Sequence, residues 1–301
     1  MIYKGYVAQF CEYYGYPEDA TKQLLLAEKK LFAQKAVYEE LNALVTIYEN
    51  DYNALNEELL REVKSAAEKS GVHEYTFNML FYIFLTLPLK KEYEKQNLTE
   101  LFDDTVLDLK WKLFECFNLY GIWGTFDPIW FIRAFTLKLF GFGRLQFEIA
   151  KCPVSYKENG FNINEGDMAL STHIPSSGTL SVNECEESFK RADAFFRKRY
   201  KKNSCLFFCY SWLLYPQNPN FLPEKSNVLK FMDMFKIVKS IDDPQNEDLW
   251  RIFYKKTYND IGELPLNTSM QRSVAEWLKK GNSLGYGIGL IQFQNERKVQ
   301  L

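Results

Sequence analysis

Through roughly the first 120 residues, apolar positions recur at helical spacing. From Ala20 to Asn50 they include Leu24, Leu31, Val37, Leu41, Leu44 and Ile47, and Tyr16-Pro17-Glu18-Asp19 supplies the start signal. Asp51 to Lys69 predicts a further helix, ended by Ser70-Gly71 because glycine accepts the left-handed turn that stops a helix. His73 to Leu87 is apolar nearly all round, which predicts a central buried helix with Pro88 at its end. Asn97 is placed as the cap of Leu98-Thr99-Glu100 in a variant capping box. The helix opened there continues through Trp111-Lys112-Leu113-Phe114-Glu115-Cys116 to Tyr120, and Gly121 and Gly124 close it.

Beyond this point the period shortens. Glycine and the Asp127-Pro128 step place a domain join between Gly121 and Asp127, giving a helical domain over 1–125 and a second domain over 126–301. Pro128 to Leu139 reads as a short aromatic helix or irregular segment. Strands are predicted at Arg144–Ala150, Met168–Ile174, Cys205–Leu214, Phe235–Ile241, Leu249–Lys255 and Tyr286–Phe293. Helices are predicted between them at Ser181–Tyr200, Asn227–Met234 and Ser269–Lys280. The polar run from Lys256 to Thr268, with Gly262 and Pro265, reads as a surface loop. No internal repeat or low-complexity tract interrupts the pattern. The fold class is α+β, with an all-helical N-terminal domain.

Composition narrows the function. Hydrophobic residues make up 47% of the 301, with 25 Phe and 19 Tyr, enough for substantial cores. A net charge of −2 argues against nucleic acid as partner, since phosphate contacts need a basic surface. The first residues lack the apolar core of a signal peptide. Met79 to Leu89 has about half the ~20 residues needed to span a bilayer. A soluble, cytoplasmic protein is expected. Six cysteines include no Cys-x-x-Cys pair, and His73 and His173 are the two histidines, so no metal site is expected.

The candidate chemistry gathers between Phe142 and Leu180. Arg144, Gln146 and Glu148 share one strand face, and Ala169, Ser171 and His173 share another. Cys205, Cys209 and Ser211 share a third, so neighbouring strands would bring small and polar faces to one cleft. Glu148 is the first candidate base, against a structural ion pair with Arg144. His173 is the second, against a role in holding the Pro175 turn. Ser211 or Tyr210 is a candidate proton donor, and a Cys209 nucleophile is the remote alternative. Ser176, Ser177, Gly178 and Thr179 follow a strand and precede a helix, where backbone N–H groups hold phosphate. The same loop reads equally as a capping turn, with Thr179 or Ser181 as N-cap. Arg197 to Lys202 is a basic run suited to a helix C-terminus, and Thr268 to Arg272 offers a second anion site or a plain cap. Gly285, Gly287 and Gly289 on one face of the last strand predict close approach by a helix, a strand or a ligand.

Several of these stretches resemble one family. They are Trp111 through Cys116, Gly143 through Glu148, His173 through Leu180, Cys209 through Leu214, Leu222-Pro223 with Ser226-Asn227, and Leu264 through Arg272. In this order they are similar to GNAT-like acyltransferases that join a helical N-terminal domain to a GNAT-type C-terminal domain. The resemblance implies a GNAT-like mixed β-sheet with flanking helices, and acyl transfer from acetyl-CoA or another acyl-CoA to a small-molecule acceptor, an amine by expectation. The Gln/Arg-x-x-Gly-x-Gly/Ala loop of other GNAT proteins has no match here; Ser176 to Thr179 is its positional equivalent. A noncatalytic GNAT-like binding module is the alternative. Neither the acyl chain, the acceptor nor the oligomeric state is legible.

Overall fold

The computed structural model describes residues 2–158, 161–176, 178–201, 203–255, 258, 260–294 and 297–299. The chain forms two compact units, Met1–Gly141 and Phe142–Leu301.

The first unit is helical. It begins with α1 (Tyr6–Tyr13), α2 (Glu18–Phe32) and α3 (Lys35–Asn50). The apolar run from Ala20 to Asn50 is therefore two helices, broken where Gln34 turns extended. The Gln34 side-chain amide donates to the carbonyls of Lys30 and Ser70, satisfying groups that a helix end exposes. In α4 (Glu57–Ser70), Asn56 accepts from the Leu59 N–H, and Gly71 ends the helix at φ +62°.

The central helix α5 (Glu74–Lys95) does not stop at Pro88 as predicted; it runs through it. Proline removes one N–H and crowds the preceding turn, a cost of about 3 kcal/mol in a helix interior. Here Phe84, Leu85 and Leu89 around it are buried, and that packing holds the helix together. Asn97 caps no new helix. It adopts φ +56° at the end of α5, and the Leu98 N–H reaches back to the Tyr93 carbonyl, an αL stop made with the residue that best replaces glycine. The next helical stretch is split at Leu107 into α6 (Thr99–Val106) and α7 (Asp108–Tyr120), with Gly121 as the left-handed stop.

The segment read as a domain join is pinned inside this unit. The Trp123 carbonyl accepts from Gln23 Nε2 and Thr76 Oγ1, and the Thr125 N–H donates to the Tyr75 carbonyl. A methyl at Gly124 would overlap the Tyr75 backbone, so that glycine serves close packing, not a linker. A 3₁₀ turn at Pro128–Phe131 and α8 (Ile132–Phe135) complete the unit. The chain leaves it in β1 (Leu139–Phe142), so the units meet at Gly141–Phe142, beyond the expected 125/126 boundary.

The second unit holds β2 (Leu145–Lys151), β3 (Tyr156–Glu158), β4 (Phe161–Ile163), β5 (Met168–His173), α9 (Val182–Tyr200), β6 (Cys205–Ser211), α10 (Asn227–Met232), β7 (Lys236–Asp243), α11 (Leu249–Phe253), α12 (Ser269–Lys279), β8 (Leu284–Gln294) and β9 (Arg297–Val299). Its sheet runs β2-β5-β6-β8-β7, with β9 beside β8 and β3–β4 as a separate hairpin. β5 and β6 are parallel, and α9 makes the crossover; the other pairs are antiparallel. This is the α+β, mixed-sheet architecture predicted.

One predicted strand is wrong. In place of the Leu249–Lys255 strand stands the helix α11, because Leu249, Ile252 and Phe253 lie at helical spacing and bury against Val274, Ala275 and Leu278 of α12. The predicted Cys205–Leu214 strand ends at Ser211, and Trp212–Leu214 turns as a 3₁₀ helix. That turn explains the glycine face of β8: Leu214 lies against Gly287 and Gly289, and Tyr215 against Gly285. The close approach is by the protein's own chain, the Leu214 backbone at Gly287 and side chains at Gly285 and Gly289. Among the described residues, no helix is long and apolar enough to cross a membrane.

A Cβ at Gly287 would land on the Leu214 carbonyl. Gly287→Ala is expected to destabilise the second unit by about 3 kcal/mol, the upper range of overpacking costs. Urea unfolding followed by tryptophan fluorescence measures it; a change under ~0.5 kcal/mol, typical of innocuous surface changes, would show that the turn yields freely.

Candidate active site

The site starts from the register of β2 on β5. Gln146 lies opposite His173, Glu148 opposite Ser171 and Ala150 opposite Ala169, so all six share one face. Glu148 and His173 sit on the diagonal of this ladder. His173 Nε2 and Glu148 Oε1 are 2.8 Å apart, with the side chains 20% and 15% exposed. With Glu148 ionised, Nε2 carries the proton and donates it to the carboxylate, and Nδ1 becomes the ring's acceptor nitrogen. A carboxylate so placed orients the ring and fixes which nitrogen carries the proton, as a general base needs.

The ion pair weighed for Glu148 is not the observed one: Arg144 does not pair with Glu148. Its guanidinium donates to the carbonyls of Pro175 (2.9 Å) and Thr179 (3.2 Å). Arg144 therefore braces the turn after β5. Burial lowers the pKa of Arg144, from a value so high that the group stays charged. The sequence shows the arginine but not this use, because its carbonyl partners lie more than thirty residues away.

The loop from Ser176 to Thr179 runs from this brace to α9. Gly178 takes φ +48°, and Ser176 and Thr179 are exposed. Ser177 lies outside the described residues. Ser181 occupies the N-cap of α9 but makes no side-chain capping bond, so the first-turn N–H groups are not satisfied by a cap. A charged guanidinium, a glycine turn and uncapped helix amides together suit an anion.

Beside the loop the sheet opens. β5 and β6 pair at Leu170–Phe207 and Ser171–Phe208, and pairing stops there although β5 continues to His173 and β6 to Ser211. The C-terminal ends of the two parallel strands thus leave facing backbone edges without strand partners. Two residues beyond the last pair stand His173 on one lip and Tyr210 on the other, both on the Glu148 face. The ring of Tyr210 packs 5.1 Å from that of Tyr286, whose hydroxyl donates to Asp243. Burial first, then Asp248, Asp243 and Glu247, raise the Tyr210 pKa and keep it protonated.

Other candidates fall elsewhere. Odd-numbered β6 residues face α9, so Cys205, Cys209 and Ser211 point away from Glu148 and His173. Ser211 instead accepts from the Leu213 N–H and caps the 3₁₀ turn. Burial pushes the Cys116, Cys205 and Cys209 thiols up to about 12 and those of Cys11 and Cys185 to about 11, which removes the cysteine nucleophile. Thr268 and Gln271 form a full capping box, which occupies the second proposed anion site. The basic run ends α9, ~27 Å from the loop at ~1.5 Å per residue, and Arg197 pairs with Asp193. Lys202 lies outside the described residues.

Comparison with known proteins agrees with the fold. Residues 6–137 match the N-acyltransferase N-terminal domain, and residues 139–291 match the GNAT-like C-terminal domain. No curated protein matches the chain in sequence. Among solved structures, the fold is similar to an acyltransferase in complex with decanoyl-CoA and teicoplanin, with a TM-score of 0.72 and 21% identity over 95% of this chain and 87% of the other. It is also similar to a mutant acyltransferase in complex with octanoyl-CoA, with a TM-score of 0.71 and 21% identity over 94% of this chain and 86% of the other. An acyltransferase in complex with CoA and 10C-teicoplanin gives the same four values.

Raised thiol pKa values mean neutral thiols at pH 8, and the thiolate is the reactive form. Native protein is expected to react with iodoacetamide at pH 8 at least ~100-fold more slowly than protein in urea. Mass spectrometry counts the labelled cysteines. Rapid native labelling of Cys209 would return it to the list of nucleophiles.

Proposed function

Because the chain belongs to the family that places a GNAT-like C-terminal domain behind an N-acyltransferase N-terminal domain, we propose that it transfers an acyl group from a CoA thioester to an amine on a small molecule. The observation that carries this reading is the opening between β5 and β6, with the Glu148–His173 pair at its lip. Freed backbone edges of two parallel strands suit an extended chain with amide groups, which is what the pantetheine arm of CoA offers. An arm lying there directs its pyrophosphate to the Ser176–Thr179 loop and the start of α9, with Arg144 behind them. Solved acyltransferases of similar fold hold decanoyl-CoA, octanoyl-CoA and teicoplanin, which supports an acyl-CoA donor and a small-molecule acceptor.

The chemistry follows from the placement. The acceptor amine attacks the thioester carbonyl, and a β5 backbone N–H at the opening holds the developing oxyanion. His173 takes the amine proton at Nδ1, directly or through water, while Glu148 stabilises the imidazolium through Nε2. The C–S bond then breaks, and Tyr210 on the opposite lip gives its proton to the CoA thiolate. Ser211 has no part, since it faces the other way. The six unpaired, buried cysteines support a reducing, cytoplasmic setting.

Calorimetric titration with CoA, acetyl-CoA and decanoyl-CoA tests the donor. Saturable binding is expected; no heat at millimolar ligand would sink the proposal. Once an acceptor is identified, His173→Gln and Glu148→Gln are each expected to lower kcat by about 10²–10⁴-fold with CoA affinity nearly unchanged. CoA binding with full turnover in both variants would remove these residues from the chemistry. CoA binding without turnover on any amine would favour a noncatalytic module.

A further inference from the structure

A cavity of about 550 Å³ lies in the second unit. It opens at the N-terminal ends of β5 and β6, whereas the proposed CoA opening is at their C-terminal ends. The Leu170–Phe207 and Ser171–Phe208 pairs stand between the two. The acyl-transfer chemistry makes no use of it.

Its walls come from separate elements: Ile149 of β2, Leu170 of β5, Leu206 of β6 and Phe196 of α9. Two small residues, Ala169 and Cys205, stand in the lining, and a larger side chain at Ala169 would take up volume there. Polar side chains of Asn162, Tyr200 and Gln292 join this lining, and Asn162 and Tyr200 are exposed. Apolar walls with a few polar groups, at a volume within the ~300–1,000 Å³ of ligand sites, describe a binding pocket and not a packing fault.

Charge selects the occupant. Among the described residues of the lining, Asp167 is the one charged group, and its Oδ2 already accepts from the Asn164 backbone and side-chain amides, at 2.8 and 3.2 Å. No cation among them compensates an anionic head group, and Asp167 would repel one. Asp167 is exposed, so water screens its charge and an ion pair with a cationic head group would add little. We propose that this cavity binds an uncharged amphiphile, its single aliphatic tail among Ile149, Leu170, Leu206 and Phe196 and its hydroxyl or amide head at the Asn162, Tyr200 and Gln292 rim.

The test uses the full chain and 1-decanol, with decanoate and decyltrimethylammonium as charged counterparts, in calorimetry. Decanol is expected to bind saturably, one per chain, and both charged probes at least about tenfold more weakly. Ala169→Leu fills the cavity and is expected to weaken decanol about tenfold or more, with CoA titration unchanged. Tyr200→Ala alters an exposed rim residue whose ring stacks on Phe196, and is expected to weaken decanol several-fold; it decides the matter if Ala169→Leu fails to fold. Four results would overturn the proposal: no saturable decanol binding, equal binding of a charged probe, unchanged decanol affinity in the folded variants, or displacement of decanol by CoA. Loss of CoA binding alone would sink the acyl-transfer reading and leave this site standing.

Discussion

The second unit depends on how Phe189 seats α9 on the sheet. Its ring packs on Phe147 of β2 at 5.2 Å, Phe207 of β6 at 5.0 Å and Phe293 of β8 at 5.5 Å. One aromatic side chain thus ties the helix to three strands, and burial of this kind is the main favourable term in folding. With α9 committed to that face, the other face of β2 and β5 carries Gln146, Glu148, Ser171 and His173. The same seating brings the N-terminus of α9 to the end of β5, where the Ser176–Thr179 loop and the Arg144 brace lie. The Glu148–His173 face and the placement of the loop at the start of α9 are separate consequences of one packing event.

The parallel pairing of β5 with β6 adds the second constraint. A crossover helix long enough to join parallel strands also separates their ends, and here the ladder closes over two residue pairs. Hydrogen bonding is complete where the strands touch and open where they part. The cavity lined by Ile149, Leu170 and Leu206 lies at the far end of the same pair.

In the first unit, buried packing overrides local signals in the same way. Pro88 sits inside α5 because its neighbours leave the helix nowhere else to go. Gly124 looks like a linker glycine in one dimension and is a contact glycine in three. Asn97 belongs to the helix before it and not to the one after, because its φ of +56° completes the αL stop of α5. Each is a residue whose local preference is real and whose use is set by a distant partner.

Periodicity alone identified the helical first unit, the strands carrying Glu148 and His173, the small-residue loop before α9 and the order of most later elements. These follow from alternation and helical spacing, which are properties of neighbouring residues. Short strands such as β3, β4 and β9 carry too few residues to show a period. α11 was read as a strand because five residues rich in apolar side chains fit either period. Which strand faces combine was not legible, since a register shift of one residue exchanges every side chain between faces. Ser171 is level with Phe208, which sets Tyr210 beside His173 and turns Ser211 and Cys209 toward α9. Residue types and their spacing mark the side chains able to move a proton; which of them meet depends on strand register, a contact between distant parts of the chain.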